Sequence, residues 1–371
     1  MKFIRSSKLY FSKHITQKKQ SEIDALLSEY ARVVNYFILT YETSIPHERV
    51  FDLVKSDQIH RCMLDTNTWL SYSNVNNAFR EGYCMVKASR AKTGEYHRPV
   101  HRGIKATLAS PNNKQCNSTT ALFDFNVTLC SLKPRGHNYS ISIPLKKHKH
   151  FVKWDCVGDR SKSITLTKNY IQFSFKVESG KKKDHDEQHQ LGIDVGLNSL
   201  FTTSDGHHFG ANVRDLIESL NRKKRCSAAW YKQKRHIKHY IDTELNKIDF
   251  KNTSLIVVEK LKNLKKNMKV KRRLTKNIRR VITHWCYRYI LTRIESLCEE
   301  NRVVFRSVNP KYTSTTCNQC GHSDKKNRLS QSIFQCQQCG HADNADVNAS
   351  RNILERFISG HCHAGYTVSI N

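Results

Sequence analysis

Acidic residues are scarce in this 371-residue chain: 32 Asp and Glu stand against 63 Lys and Arg, a formal charge of +31 with His neutral. Self-repulsion on that scale argues against an enzyme of small molecules and calls for a polyanionic partner. Long apolar runs are missing too. No stretch of about eighteen apolar residues exists, and residues 1–19 lack the apolar segment of a secretory signal. Membrane and secretory readings are set aside, and a cytoplasmic protein is expected, associated with the nucleoid if the host is bacterial. No helix-turn-helix pattern, ββα finger, internal repeat or low-complexity tract is evident. Hydrophobic residues nevertheless form 38% of the chain, enough to build cores and to argue against a disordered basic protein.

The thirteen cysteines are an odd number in a protein read as intracellular, which disfavours a disulfide framework. Nine stand alone and are read as buried or half-buried thiols: Cys62, Cys84, Cys116, Cys130, Cys156, Cys226, Cys286, Cys298 and Cys362. The other four form two C-x-x-C knuckles, Cys317/Cys320 and Cys336/Cys339, separated by fifteen residues and each followed by glycine (Gly321, Gly340). Glycine permits the positive φ that lets backbone N–H groups approach the sulfurs. Four thiolates close a tetrahedral shell around Zn²⁺ and leave no position for water, so this pattern reads as a structural zinc ribbon.

Periodicity divides the rest. Residues 1–20 read as a strand entering a basic turn, and a helix follows from Ser21, the expected cap, with Ile23, Leu26, Leu27, Tyr30, Val33, Val34 and Phe37 at helical spacing. Weaker helices are expected over 50–54 and 74–87. Residues 121–129, 139–144, 163–167 and 170–177 alternate with period two, suggesting a small antiparallel barrel. The polar stretch 180–190 reads as a linker. Beyond it come a strand pair at 191–195 and 200–203, a long basic helix over 212–247, and a strand at 254–259. A helix over 276–300, a strand at 302–308, the ribbon and a last helix over 346–359 complete the pattern. The expected fold class is multidomain α+β. The expected domains are 1–185, a wedge-like barrel with a helical recognition segment inserted at about 20–100; 186–310, the first part of an α/β domain; 311–342, the ribbon; and 343–371, the last helix and tail.

In so basic a chain, a carboxylate inside an apolar strand needs a partner or a metal. Asp194 lies within Leu-Gly-Ile-Asp-Val-Gly-Leu, Glu259 ends Leu-Ile-Val-Val-Glu, and Asp346 heads the last helix, where it could also serve as its N-cap. Two strand ends and a helix start can gather three carboxylates at one sheet edge, an arrangement suited to two divalent cations. Residues 192–196, 258–261, 312–314 with the two knuckles, and 346–349 resemble, in order, the split nuclease motifs of TnpB proteins, RNA-guided DNA endonucleases of insertion sequences related to type V CRISPR effectors. The resemblance covers about residues 191–360. It implies a RuvC-like nuclease of RNase H fold with Asp194, Glu259 and Asp346 as catalytic Mg²⁺ or Mn²⁺ ligands, guide RNA and target DNA as partners, and cleavage beside a short flanking motif. Lys260 stands where many relatives carry Asp, and Ser350 where many carry Ala; neither is a metal-binding carboxylate. Asp343 is a rival third ligand, and Asp346 is preferred because the motif Asp-x-Asn-Ala places it there. A nuclease-inactive guide-dependent regulator and a protein-only zinc-ribbon DNA-binding or resolvase-like factor are the alternatives; the intact triad disfavours the first and the extra N-terminal half the second.

Residues 260–280 hold eleven Lys and Arg and no acid. Lys262, Lys265, Lys266, Lys269, Lys271, Arg272, Arg273, Arg279 and Arg280 are the expected nucleic-acid contacts, with Leu261, Leu264 and Val270 anchoring the strip. Residues 222–225 and 232–238 extend the positive surface, with Trp230 and Tyr231 as stacking platforms or core. The tail sequence His361-Cys362-His363 is a weak candidate for a second metal.

Overall fold

A computed structural model describes residues 2–11, 15–42, 48–91, 96–109, 125–132, 139–178, 189–260 and 276–360. The chain divides into two compact units, Lys2–Glu178 and Ser179–Asn371, each built round its own core.

The first unit runs β1 (Lys2–Tyr10), α1 (Gln17–Glu42), α2 (Glu48–Thr66), α3 (Tyr72–Arg90), β2 (Lys105–Ala109), β3 (Phe125–Leu132), β4 (Tyr139–Leu145), α4 (Lys149–Val157), β5 (Gly158–Thr167) and β6 (Tyr170–Glu178). Strands β1-β6-β5-β2 pair antiparallel in one sheet, and β3 and β4 form a separate antiparallel pair. The periodic residues of α1 are all buried, together with Phe79 of α3, Phe151 of α4 and Phe175 of β6. The helix starts one turn earlier than Ser21: Ser21 Oγ donates to the carbonyl of Gln17 and so lies inside the helix. That turn adds no apolar residue, so hydrophobic spacing does not mark it.

The second unit contains β7 (His189–Asp194), β8 (Phe201–Thr203), β9 (His208–Phe209), α5 (Val213–Asn221), α6 (Ala228–Leu245), β10 (Thr253–Glu259), α7 (Lys276–His284), α8 (Tyr287–Asn301), β11 (Val304–Val308), β12 (Ile333–Gln335), β13 (Ala342–Asn344) and α9 (Ala345–Ile358). Its main sheet has the order β11-β10-β7-β8-β9. Strand β10 is parallel to β11 and β7, while β8 and β9 turn back antiparallel. The continuous apolar run of β10 follows from burial on both faces. Ile256 and Val258 join the core beneath α5–α8, and Leu255 and Val257 pack with Val304 and Ile353 of α9.

Both long helices expected here are broken. The 212–247 region bends at 222–227, where Cys226 takes φ +64° and Ser227 caps α6 by accepting from Trp230 N–H. The 276–300 region breaks at Trp285–Cys286 before α8. In each case the apolar residues keep helical spacing across a turn too short to upset the pattern. Residues 189–190 of the expected linker already belong to β7, and 179–188 lie outside the described residues. Among the solitary cysteines, Cys62 and Cys298 are buried and Cys286 half-buried, as expected, but Cys84, Cys156 and Cys226 are exposed. The side chains of Cys116, Cys130 and Cys362 lie outside the described residues.

Candidate active site

Strand register brings two of the carboxylates together. Val258 of β10 pairs with Ile193 of β7 in parallel, so Glu259 and Asp194 are the next residues of adjacent strands, whose separation is about 4.8 Å. Side chains alternate along a strand. Leu255 and Val257 face α9, so Glu259 does as well; Ile193 faces the opposite core, which turns Gly192 and Asp194 towards α9.

The helix arrives because Gly192 leaves room for it. A Cβ built on Gly192 would lie 2.1 Å from the carbonyl oxygen of Ser350 and 2.9 Å from Leu354 Cβ. Backbone thus packs on backbone, and the first turn of α9 carries Asp346 to the strand ends. The cap of this helix is Asn344 rather than Asp346: Asn344 Oδ1 accepts from the N–H groups of Asp346 and Val347. The Asp346 carboxylate is thereby free of capping, and it accepts from Arg328 Nη2 at 3.1 Å. Asp343 is turned elsewhere, held by Arg351 Nη1 at 2.7 Å.

Burial and then the negative charges of Glu259 and Asp346 push the Asp194 carboxyl up to about 7, against the pull of Arg328 and the Val195 N–H. Burial also raises Glu259, opposed by the hydroxyl of Thr313 and the charges of Arg356 and Arg328. Thr313, buried and donating to Glu259 Oε1, is held by its own carbonyl, which accepts from Asn352 of α9 at 2.9 Å. Tyr287 of α8 fixes the Glu259 carbonyl at 2.7 Å. Three neighbouring acids, two of them raised by burial and opposed only by the Arg328 and Arg356 guanidiniums, form a site that a divalent cation would relieve.

The four knuckle cysteines come together. Cys317 and Cys339 sulfurs are 3.7 Å apart, Cys320 and Cys336 3.6 Å, and all four lie within 4.8 Å of one another. A tetrahedron with Zn–S bonds of about 2.3 Å has edges of about 3.8 Å, so the sulfurs fit a zinc ion. Among the described residues no other three His, Cys, Asp or Glu ligand atoms gather as tightly, so the carboxylates are set wider. The two knuckles are alike. Gly321 (φ +76°) and Gly340 (φ +74°) donate to the carbonyls of Cys317 and Cys336. N–H groups of Cys339 and Gln338 draw the Cys336 thiol down to about 6.

Several organising residues escaped the sequence reading. Buried Asn327 donates to the carbonyls of Thr315 and His322 and accepts from Gln337 N–H, tying one knuckle to the other. Asn348 fastens α9 to the ribbon through Thr316 O and Asn318 N–H. Arg328, from the ribbon, is the cation that pairs with Asp346 of the acidic site. Asn327 and Arg328 lie in no periodic segment, and Asn348, within the expected last helix, is marked only by the Asp-x-Asn-Ala motif. Of the expected nucleic-acid contacts, Lys262, Lys265, Lys266, Lys269, Lys271, Arg272 and Arg273 lie outside the described residues, as do the anchors Leu261, Leu264 and Val270 and the 361–363 tail. The side chain of Arg279 does too, and Arg280 is exposed on α7.

Comparison with known proteins decides the relationship. Residues 287–353 match the family model described as Cas12f1-like, TNB domain. The chain is 31% identical over 232 residues to InsQ of Escherichia coli (strain K12), a protein described as an RNA-guided DNA endonuclease, and 40% identical over 74 residues to the CRISPR-associated endodeoxyribonuclease Cas12f1 of Sulfoacidibacillus thermotolerans. The chain is homologous to InsQ and Cas12f1. The matched segments make up 52% and 20% of this chain, and span 56% of InsQ and 18% of Cas12f1. The resemblance drawn from the motifs therefore holds as homology. In fold, the chain is similar to Cas12f1 in a complex with sgRNA and target DNA (TM-score 0.58, 16% identity, 91% of this chain and 83% of that one). It is similar also to CasPhi-2 (Cas12j) bound to crRNA and phosphorothioate-DNA (TM-score 0.57, 10% identity, 96% and 92%).

Proposed function

We propose that this chain is an RNA-guided, divalent-metal-dependent DNA endonuclease encoded by a transposable element, cutting target DNA beside a short flanking motif. The observation that carries the reading is the placement of Asp194 and Glu259 in register on adjacent strands beneath Asp346, with Asp194 pushed up to about 7 by burial and then by the charges of the other two. Homology to InsQ and Cas12f1 supports it. Asp194, Glu259 and Asp346 would hold Mg²⁺ or Mn²⁺, which supplies an activated water and stabilises the leaving 3′ oxygen. Thr313 keeps Glu259 oriented through its hydroxyl. Arg328, which now holds Asp346, would be available to a phosphate oxygen if a cation took its place on that carboxylate. Zinc at Cys317, Cys320, Cys336 and Cys339 is structural, and its ribbon supplies Thr313's neighbours and Arg328 to the site.

The first unit, expected to span 1–185, takes the role of a wedge with a recognition segment at about 20–100; 186–310 and 343–371 form a RuvC-like nuclease around the 311–342 ribbon. The basic strip at 260–280 tracks nucleic-acid phosphates. Sequencing the RNA that copurifies with the protein tests the reading. One structured RNA with a variable end is expected; protein that purifies without RNA and binds none contradicts it.

A further inference from the structure

Asn352 lies on α9 beyond Asp346 and is buried. Its Nδ2 carries two hydrogens and donates to two carbonyls, Thr313 O at 2.9 Å and Thr316 O at 2.6 Å. Asn348, one turn earlier on the same helix face, also donates to Thr316 O, at 2.8 Å. Both carbonyls belong to one short turn. The N–H groups of Thr315 and Thr316 donate to Tyr312 O at 3.1 and 3.0 Å, and Tyr312 opens the turn at φ +68°. One end of the turn carries Thr313, which donates to Glu259; the other runs into Cys317 of the four-sulfur cluster. The Thr313 hydroxyl has one proton and two acceptors within reach, Glu259 Oε1 and the Pro310 carbonyl at 3.0 Å. Pro310 leads into the turn and travels with it, whereas Glu259 is fixed in β10. A turn that drifts from β10 therefore keeps Pro310 and surrenders Glu259. The anchor is α9: Ile353 packs with Leu255 and Val257 of β10, and the adjacent Asn352 grips the turn.

We infer that Asn352 is a positioning residue that couples the zinc knuckle to the carboxylate site, an inference that rests on the metal-dependent nuclease reading above. Its amide holds the Thr313 carbonyl and the carbonyl that precedes Cys317 in a single arrangement, so order imposed at one end of the turn reaches the other. A cation on Asp194, Glu259 and Asp346 fixes the partner of the Thr313 hydroxyl and steadies the turn that carries Cys317. Zinc on Cys317 in turn keeps Thr313 against Glu259. Coupling between two binding sites is reciprocal, so each metal raises the affinity for the other by the same factor. A link made through one neutral hydrogen bond amounts to about 2- to 12-fold.

The test uses full-length, zinc-loaded protein stripped of RNA, with Mn²⁺ as the probe. Electron paramagnetic resonance gives its affinity, and Asp194→Ala serves as the blank. Iodoacetamide alkylation of Cys320 and Cys339, mapped by mass spectrometry, reports opening of the zinc site, with exposed Cys84, Cys156 and Cys226 as reference thiols. In wild type, saturating Mn²⁺ should slow knuckle alkylation about 2- to 12-fold and leave the reference thiols unchanged. Asn352→Ala should lose this protection and bind Mn²⁺ about 2- to 12-fold more weakly. Thr313→Val should do the same, the double variant should be no worse than either single, and Thr313→Ser should restore both readouts. If Asn352→Ala folds poorly, Thr313→Val against wild type carries the test. An amide that only stabilises the fold would lower Tm and leave the Mn²⁺ protection at its wild-type factor, and that result overturns the inference. Wild-type Mn²⁺ binding no greater than the blank would sink the nuclease reading itself. Wild-type Mn²⁺ binding with unchanged knuckle alkylation would sink this inference alone.

Discussion

Replacing Gly192 with alanine perturbs the site without touching any polar group in it. The added Cβ would meet Ser350 O at 2.1 Å, Leu354 Cβ at 2.9 Å and Leu354 N at 3.0 Å. Two of these are helix backbone and cannot rotate away, so α9 must retreat from β7 by about 1 Å to restore ordinary contact. Overpacking of a core costs about 1–3 kcal/mol, and the backbone obstacle places this substitution near the upper end. For a unit of about 190 residues that corresponds to a fall in Tm of roughly 6–12 °C. Asp346 rides on the displaced helix, and a misplacement of about 1 Å can lower a rate about 100-fold. Thermal melts and target-cleavage rates, taken alongside Gly206→Ala, would measure this. Gly206 has φ +92° with open space around it, so its alanine variant should lose about 1 kcal/mol and keep cleavage. A Gly192→Ala protein with wild-type melting and cleavage would refute the close helix–strand contact as the device that places Asp346.

Asp194→Ala, Glu259→Gln and Asp346→Ala should each abolish cleavage with target binding nearly intact, and double variants should be no worse than singles because the ligands act as a unit; cutting that survives in Asp346→Ala but not in Asp343→Ala would move the third ligand. Cys317→Ser should lose the single expected zinc by elemental analysis and fold poorly; an unchanged stoichiometry would reject the assignment. For metal-free protein, Asp194 rises from 3.8 to about 7, so the native state holds a proton that the unfolded chain gives up. The stability it contributes is complete below pH 3.8 and is lost as pH climbs through 7. The pH dependence of unfolding should therefore be flatter in Asp194→Asn, and the rise in Tm on adding Mg²⁺ to wild type should grow from pH 5 to 8; identical pH profiles in the two proteins would contradict the shift.

The sequence disclosed what is periodic or local. The β10 run Leu-Ile-Val-Val announced a strand covered on both faces, and the doubled C-x-x-C spacing announced the four-sulfur cluster. Asp194 and Glu259 were conspicuous because apolar strands rarely carry acids. What it could not disclose were relations between distant residues of no pattern: Arg328 reaching Asp346, Asn327 joining the knuckles, Thr313 orienting Glu259. The helix breaks at 222–227 and 285–286 were invisible because apolar spacing survives a short turn. Trp230 and Tyr231 are adjacent and chemically alike, and only the placement of α6 sends one inward and leaves the other in solvent.

The central claim is that cutting is licensed by RNA and not by any sequence reader in the protein. A charge of +31 favours any phosphate backbone in a salt-sensitive way, and on the proposed reading base pairing supplies the specificity. The direct measurement is cleavage of a duplex DNA panel by RNA-stripped protein with Mg²⁺, before and after adding back the copurified RNA. The stripped protein should be inert, and the added RNA should restore cutting only at sites that match its variable end. RNA-free cleavage at a fixed sequence would contradict the account and put a protein-only nuclease in its place.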